Sequence, residues 1–338
     1  MSSTLTLVET TVVPHTAFVR AKEQLALSFR YAANQAEAQG IAIVGESGTG
    51  KTSVLDCFSE QYPSRREPDG RVVPILRATV PSNPTVKSLA GVMLDSLGAD
   101  DSERGTENEK TKRLRVLMKN TGVVMVMLDE FQHFYDKGKR QIMYHVADWL
   151  KVLIDNARCT LVVAGLPVCR VVIEQNEQLE RRFLSSLQMP RFDWNDAEHR
   201  AEFMGILEAF SSTLSSRFRI PELHSDSMAF RFYCATGGLM SLVSKLLRHA
   251  ERKAESEGRL TMKLHDFHIA HMESIWRNGR SSGAPKPFEQ TFNPEPTFEF
   301  LESVRSIGQA SVQPVESSAR HPRQARESID SVLRKRGR

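Results

Sequence analysis

The chain has 338 residues, 40% of them hydrophobic, so it is long enough to bury one sizeable core and a smaller second one. Its formal net charge is only +4, which excludes a whole-protein electrostatic field as the means of holding nucleic acid and leaves local patches for that task. Four cysteines without a CxxC pair predict reduced thiols in a cytoplasmic protein, and no apolar run is long enough to span a membrane.

The first half of the chain alternates short apolar runs with helical patterns. Residues 1–16 form a Thr- and Val-rich arm containing a proline, for which we expect extended backbone. The apolar runs are continuous, as in strands buried on both faces, and cover residues 41–44, 72–76, 123–128 and 160–164. Amphipathic helical patterns separate them, so we predict an α/β fold in which helices cover both faces of a parallel sheet.

The second half contains helical patterns without strand patterns. We predict helices at residues 198–214, 227–235, 239–254 and 264–276. Beyond them the composition turns rich in Pro, Gly and Ser and then basic, with a possible short helix at 327–336. The predicted divisions are an arm, an α/β nucleotide-binding domain, a small all-helical lid and a flexible basic C-terminal tail, at residues 1–16, 17–192, 193–277 and 278–338.

A glycine-rich segment, GESGTGKTS, lies between the first predicted strand and a helical pattern. It matches the P-loop, in which glycines turn consecutive backbone N–H groups toward phosphate oxygens at a helix N-terminus. A chance glycine-rich turn rarely has a strand before it and a helix after it. We therefore predict ATP binding by Gly45, Glu46, Ser47, Gly48, Thr49, Gly50, Lys51, Thr52 and Ser53. Lys51 is expected to contact the β- and γ-phosphates, and Thr52 to bind Mg²⁺ through its hydroxyl.

Two acidic residues, Asp129 and Glu130, follow the apolar run 123–128. A parallel strand that ends in two carboxylates delivers them to the ligand-binding edge of its sheet. We expect Asp129 to serve the nucleotide site and Mg²⁺, and Glu130 to activate the attacking water. Adjacent acids at a solvated strand end are a common alternative, but here a P-loop precedes them.

A pair of arginines in the segment NEQLERRF follows the last predicted strand. We predict Arg182 as an arginine finger that acts on the nucleotide of a neighbouring subunit, with Arg181 in reserve. Surface arginines that form weak ion pairs are the alternative interpretation.

Four segments, IVGESGTGKT, VVMVMLDEFQHF, NEQLERRF and TGGLMSLVSKLL, together resemble the AAA+ ATPases of DNA transposition, the TniB/TnsC family, which is related to the B protein of phage Mu. The resemblance covers about Ala17 to Trp276. It implies an ATP-dependent regulator that oligomerises as a ring or helical filament on duplex DNA. It further implies that the protein recruits a transposase and couples to a TniQ-type target-selection protein.

The resemblance also implies DNA contacts. The positions that match the pore-facing loops of the family are Thr85, Lys87, Arg104 and Thr106, where basic side chains would contact phosphates. Further candidates on the adjoining helix are Lys112, Arg113 and Lys119. A polar loop with a charge pair is otherwise simply solvated.

Two departures from the family pattern predict slow hydrolysis. The fourth strand ends in Ala164-Gly165-Leu166-Pro167, where relatives often place a polar residue near the attacking water. The helical region has Gly237-Gly238-Leu239-Met240, where many relatives place an arginine on the nucleotide. Two alternatives remain open: another AAA+ DNA protein of the replication-initiator or helicase-loader type, and an NTP-driven signalling scaffold without nucleic acid. A small-molecule kinase disagrees with the long helical region.

Overall fold

A central sheet and its covering helices are built from the first part of the chain. The computed structural model describes residues 5–32, 37–137, 140–275 and 286–308. The first elements are α1 (Leu7–Thr10), α2 (Thr16–Tyr31), β1 (Gly40–Val44), α3 (Lys51–Ser59), β2 (Arg65–Glu67), β3 (Gly70–Val72), β4 (Ile75–Thr79), α4 (Val86–Ser96) and α5 (Glu107–Asn120). They are followed by β5 (Met125–Asp129), α6 (His133–Lys137), α7 (Arg140–Ala157), β6 (Thr160–Gly165), α8 (Cys169–Ile173), α9 (Glu177–Glu180) and β7 (Leu187–Gln188).

Five strands form one parallel sheet in the order β4-β5-β6-β1-β7. Because β1 is first in the chain but lies between β6 and β7, the strand order reverses beside it, and such a reversal opens a crevice at the carboxyl edge of a sheet. The segment GESGTGKTS begins at this edge, directly after β1. The topology therefore places the P-loop where α/β proteins bind their ligands.

The side chains of β1 explain why its apolar run is continuous. Ala42 and Val44 belong to the core on one face of the sheet, whereas Ile41 and Ile43 belong to the core on the other face. Helices α2 and α3 cover the second face through Phe18, Leu25, Val54 and Leu55. The prediction of a parallel sheet covered on both faces is confirmed.

The predicted strand at 72–76 is displaced in the structure. Pro74 has no N–H for the sheet, so β3 ends at Val72 and β4 begins at Ile75. The sequence patterns also miss β7, which has two residues, and the antiparallel hairpin of β2 and β3, which is largely exposed. Short or solvated strands carry too few apolar positions to give a pattern.

The remaining elements are helices: α10 (Ala197–Ser215), α11 (Asp226–Thr236), α12 (Met240–Ser256), α13 (Leu264–Ser274) and α14 (Phe298–Arg305). The first four confirm the helices predicted in this region. The described residues after β7 contain no β-strand, and their backbone pairing of the β type is limited to an isolated bridge between Arg219 and Thr261. A separate hydrophobic core of Phe, Leu and Ala side chains holds these helices together.

The predicted flexible tail from residue 278 is wrong for residues 286–308. Phe288, Leu301 and Val304 are buried in the core of the helical region, and α14 was not predicted. Arg231 donates to the carbonyl oxygens of Pro287, Glu289 and Phe292. The helix predicted at 327–336 lies outside the described residues. The described residues up to Gly308 form one compact unit, so the boundary between residues 192 and 193 stays a prediction.

The N-terminal arm is docked on helix α12. The N–H groups of Leu7 and Val8 donate to the carboxylate of Glu251, at 2.7 and 3.1 Å, and Glu251 is fully buried. Val8 is buried in the helical core. The arm contains the short helix α1 rather than extended backbone throughout, and a capping box between Thr6 and Glu9 begins that helix.

Within the ranges that the structure describes, no helix combines the length and the apolar character needed to cross a membrane.

Candidate nucleotide site

The loop between β1 and α3 has a backbone that only certain residues can adopt. Gly48 and Gly50 have φ angles of +83° and +95°, which L-residues with a Cβ rarely adopt. Gly45 is required for space, since a Cβ there would lie 2.2 Å from the carbonyl oxygen of Met189. The amide of Gly50 precedes the first turn of α3, where free N–H groups and the helix dipole favour an anion.

The ammonium of Lys51 lies inside this loop. Its Nζ donates to the carbonyl oxygens of Gly45 at 2.9 Å and Glu46 at 2.6 Å. Burial lowers the pKa of Lys51, and the carboxylates of Glu130 and Asp129 oppose that shift. The charge is therefore held at the mouth of the P-loop with carboxylates nearby, as predicted for a residue that contacts phosphate.

The hydroxyl of Thr52 and the carboxylate of Asp129 meet at the carboxyl edge of the sheet. Thr52 Oγ1 donates to Asp129 Oδ2 at 2.9 Å, and Asp129 is buried. Asp129 Oδ1 accepts from the N–H of Glu130 at 2.9 Å, and Arg77 lies 3.8 Å from Oδ2. A hydroxyl and a carboxylate are oxygen donors of the kind that Mg²⁺ prefers, so both residues fit the predicted metal role.

Glu130 lies at a backbone position that few side chains occupy. Its φ angle is +56°, in the left-handed region, and the N–H of the following Phe131 donates to the carbonyl oxygen of Ala164. This bond ties the residue to the end of β6. Glu130 lines the same cavity as the P-loop, so its carboxylate is placed for the predicted role.

A cavity of about 440 Å³ covers the P-loop, a size within the usual range for ligand sites. Three parts of the chain close it. Its walls are the P-loop with Glu130, the arm and the start of α2 from Thr11 to Phe18, and the helical residues Phe210, Met240, Ser241, Ser244 and Arg248. The N–H of Ser241, at the start of α12, donates to the carbonyl oxygen of Gly48, so the helical region contacts the P-loop directly.

Comparison with known proteins assigns the chain to a family. Residues 5–194, more than half of the chain, match the family model described as bacterial TniB protein. The chain belongs to the TniB family. No curated protein sequence matches it.

Solved structures share the fold of this TniB-family chain at low sequence identity. The Cdc6p structure of Pyrobaculum aerophilum is 15% identical, with a TM-score of 0.59, covering 81% of this chain and 72% of that chain. The Aeropyrum pernix ORC2 structure, described as ADPNP–ADP complexes, is 14% identical at a TM-score of 0.56, covering 79% and 71%. The Aeropyrum pernix ORC1 structure in complex with DNA is 16% identical at 0.56, covering 79% and 68%. The predictions of TniB membership and of a parallel α/β sheet fold followed by a helical region are confirmed.

In the TniB-family chain an arginine that the sequence patterns did not reveal, Arg191, contacts the P-loop. The guanidinium of Arg191, with 4% of its side chain exposed, donates to Glu46 Oε2 at 2.7 and 3.0 Å. It also donates to the carbonyl oxygens of Gly237 at 3.0 Å and Ile307 at 2.8 Å. One side chain thus joins the P-loop, the end of α11 and the residues after α14.

Of the four residues at the position where many relatives place an arginine, Gly237-Gly238-Leu239-Met240, Met240 lines the cavity. Arg248, two turns further along α12, also lines it, and its guanidinium lies 3.3 Å from Glu9 Oε1 in the arm. The sequence analysis did not single out Arg248. The cavity therefore has a cation on its helical wall, held by the arm rather than directed at the P-loop.

The predicted arginine finger and its reserve differ in accessibility. The side chain of Arg182 is 15% exposed and pairs with Asp155 at 3.0 Å and Glu37 at 3.5 Å. Its carbonyl oxygen accepts from the N–H of Gly40, at the edge of the sheet opposite the P-loop of its own chain. Arg181 is 75% exposed and pairs with Glu177 of its own helix. Action on a neighbouring subunit stays a prediction for both, and Arg181 has the accessible guanidinium.

The predicted DNA contacts lie at the N-termini of two packed helices. Thr85 and Thr106 are the N-caps of α4 and α5, and each forms a capping box, so their hydroxyls are engaged in the helix starts. Hydrogen bonds from Thr106 lower the pKa of Glu109, and the charge of Lys87 lowers it further. The side chain of Arg104 is 81% exposed, 3.4 Å from Asp101. The DNA role stays a prediction.

The positions of the cysteines confirm the prediction that they lie within the core or near it. Cys159, Cys169 and Cys234 are buried and free, and Cys57 is partly buried. Burial raises the pKa of each of the three buried thiols to about 12. Across the described ranges no group of His, Cys, Asp and Glu has the arrangement of a metal site.

Proposed function

We propose that this TniB-family protein is an ATP-dependent, DNA-binding regulator of transposition. The observation that carries the proposal is the cluster of Lys51, Thr52, Asp129 and Glu130 beneath a cavity that the helical region closes. ATP with Mg²⁺ would supply the phosphoanhydride bond that is cleaved. The chain belongs to the TniB family. The DNA and transposition roles are those implied by its resemblance to the TniB/TnsC ATPases.

The residues of the site divide the chemistry among them. Lys51 would exchange its bonds to the loop carbonyls for phosphate oxygens and hold them as a point charge. Thr52 would bind the Mg²⁺ through its hydroxyl, and Asp129 would hold it through water. Glu130 would orient the attacking water and accept its proton. Met240 brings no charge to the cavity, and the guanidinium of Arg248 on the same wall is paired with Glu9 of the arm, which supports slow hydrolysis and an ATP-bound working state.

The DNA-binding surface we propose is the pair of helix N-termini at Thr85–Lys87 and Arg104–Thr106. Helix N-termini with exposed basic side chains suit phosphate groups, and contacts of this kind bind DNA without regard to sequence. Lys87 and Arg104 are exposed, so both are available to a duplex. The Aeropyrum pernix ORC1 structure contains DNA, which shows that one protein of this fold binds it.

Oligomerisation as a ring or filament on duplex DNA is part of the proposal, with a transposase and a TniQ-type target-selection protein as partners. The decisive experiment is electron microscopy of the full chain with duplex DNA, with and without an ATP analogue. We expect ordered oligomers on DNA only with the analogue. The Lys51→Ala variant should form none, because it loses the charge that binds the nucleotide.

The fold similarity to Orc and Cdc6 proteins favours one second candidate, an AAA+ DNA protein of the replication-initiator or helicase-loader type. Stimulation of an integrase-type transposase in a strand-transfer assay separates the two. If the protein binds no DNA in any nucleotide state, a signalling scaffold becomes the better interpretation, in agreement with the small net charge.

A further inference from the structure

The end of β6 has no polar side chain of its own, yet a polar group occupies the space beside it. The amide of Gln132 lies there, with 7% of the residue exposed. Its Oε1 accepts from the N–H of Leu166 at 3.2 Å. The residue at the strand end is Gly165, and a Cβ on it would lie 2.3 Å from Oε1 of Gln132. Because Gly165 has no side chain, the amide of Gln132, from the segment after β5, has room beside the end of β6.

The other end of the amide contacts Glu130. Nε2 of Gln132 donates to Oε2 of Glu130 in a short hydrogen bond. The chemistry of both partners fixes this orientation, since a backbone N–H needs an acceptor and an ionised carboxylate can only accept. Turning the amide around would place a donor against a donor and an acceptor against an acceptor.

Burial makes the position of Gln132 well defined. The neighbouring Phe131 and Phe134 are fully buried, so the amide lies in apolar surroundings where an unpaired polar group is costly. Both polar atoms of the Gln132 amide have hydrogen-bond partners, and a rotation of the amide away from either partner would break a hydrogen bond. Glu130, by contrast, is partly exposed, has a backbone in the left-handed region and faces the cavity. A buried amide with a fixed orientation thus contacts the partly exposed carboxylate that faces the cavity.

We infer that Gln132 is a positioning residue for the ATPase reaction, which holds the carboxylate of Glu130 toward the cavity from an anchor on Leu166. The inference deepens the proposed function and rests on the role of Glu130 in it. It also revises the expectation from the sequence that the end of the fourth strand lacks a polar group, since Gln132 supplies one.

Three substitutions separate the parts of this role. Gln132→Glu keeps the side-chain shape and an acceptor for Leu166, but places a second carboxyl group against Glu130. If that group is ionised it cannot donate to Glu130, and if the two carboxyls share a proton the carboxylate that must accept a proton from water is neutralised. Gln132→Met keeps the approximate volume and loses both hydrogen bonds. The matched control is Gln175→Ala, which removes an amide that donates to the carbonyl oxygen of Val171. We expect kcat to fall about tenfold or more for both Gln132 variants and to stay within about twofold for the control.

The affinity for a fluorescent ATP analogue should stay within about twofold in all three variants, because Gln132 does not belong to the phosphate cradle. The sharper measurement is a double-mutant cycle with Glu130→Gln, using single-turnover hydrolysis. Adding Gln132→Met to Glu130→Gln should cause no further loss, since the carboxylate to be positioned is already gone.

A wild-type kcat in Gln132→Glu would overturn the inference. So would a double variant in which the loss of hydrolysis rate from Gln132→Met adds fully to the loss from Glu130→Gln. A merely structural role would instead lower the melting temperature and the nucleotide affinity together. If Glu130→Gln itself hydrolyses ATP at the wild-type rate, the proposed role of Glu130 fails rather than that of Gln132 alone. The two failures are thus distinguishable.

Discussion

Replacing Arg191 by Ala should destabilise the protein far more than replacing its acidic partner Glu46 by Gln. Hydrogen bonds from a charged group contribute about 1.5–3 kcal/mol each, and Arg191 donates to the carbonyl oxygens of Gly237 and Ile307. At the lower end the two bonds give roughly 3 kcal/mol. Glu46 is half-exposed, so its ion pair adds at most about 1 kcal/mol. The expected loss is roughly 4 kcal/mol for Arg191→Ala.

The Glu46→Gln variant keeps an oxygen that accepts from the guanidinium and loses only charge, so we expect about 1 kcal/mol or less. Arg191→Lys should resemble Arg191→Ala, because an ammonium does not reproduce the planar fork that reaches three partners. Thermal unfolding without nucleotide measures the difference. At about 2 °C per kcal/mol for a chain of this size, Arg191→Ala should melt roughly 8 °C lower than wild type. Equal shifts for Arg191→Ala and Glu46→Gln would refute the reasoning, since the carbonyl bonds would then contribute nothing.

Three further predictions concern catalysis, the C-terminal segment and DNA. Glu130→Gln should leave the affinity for an ATP analogue unchanged while slowing hydrolysis, measured by phosphate release, because an amide does not act as a base; faster turnover than wild type would contradict the assignment. A chain ending at residue 275 should melt well below one ending at Gly308, because only the longer chain keeps the buried side chains of residues 286–308; equal melting temperatures would show that this packing adds no stability. Replacing both Lys87 and Arg104 by Ala should reduce the slope of log affinity against log salt by roughly two on duplex DNA, with ATP binding intact; an unchanged slope would remove these loops from the interface.

The prediction of the phosphate site uses information that is local in the chain. The three glycines, Lys51 and Thr52 lie within residues 45–52, and Asp129 follows its own apolar strand, so patterns of neighbouring residues are enough to propose each role. Gln132 lies two residues after Glu130 and within the quoted motif, yet its role depends on contact with Leu166, which only the pairing of β5 with β6 brings near. The spacing of residues along the sequence does not reveal such a contact.

Arg191 and the segment 286–308 were missed for a related reason. The partners of Arg191 are separated from it by up to 145 positions in the chain, and nothing next to it in the sequence indicates them. In residues 286–308 the buried side chains are few and stand among Pro, Glu and Thr, which is the composition of a linker. Burial there depends on a surface that other helices provide. The choice between Arg181 and Arg182 likewise depends on Asp155, a residue of α7.

The bond between the arm and Glu251 has a consequence for synthesis of the chain. Leu7 and Val8 are synthesised long before their acceptor on α12, which emerges only after more than 240 further residues have been made. The sheet and the P-loop are complete before that point, whereas the wall of the cavity formed by Thr11 to Phe18 lacks its anchor. Closing so long a loop is slow compared with local folding. A nascent chain should therefore acquire its phosphate loop early and a closed nucleotide cavity only when translation has passed α12.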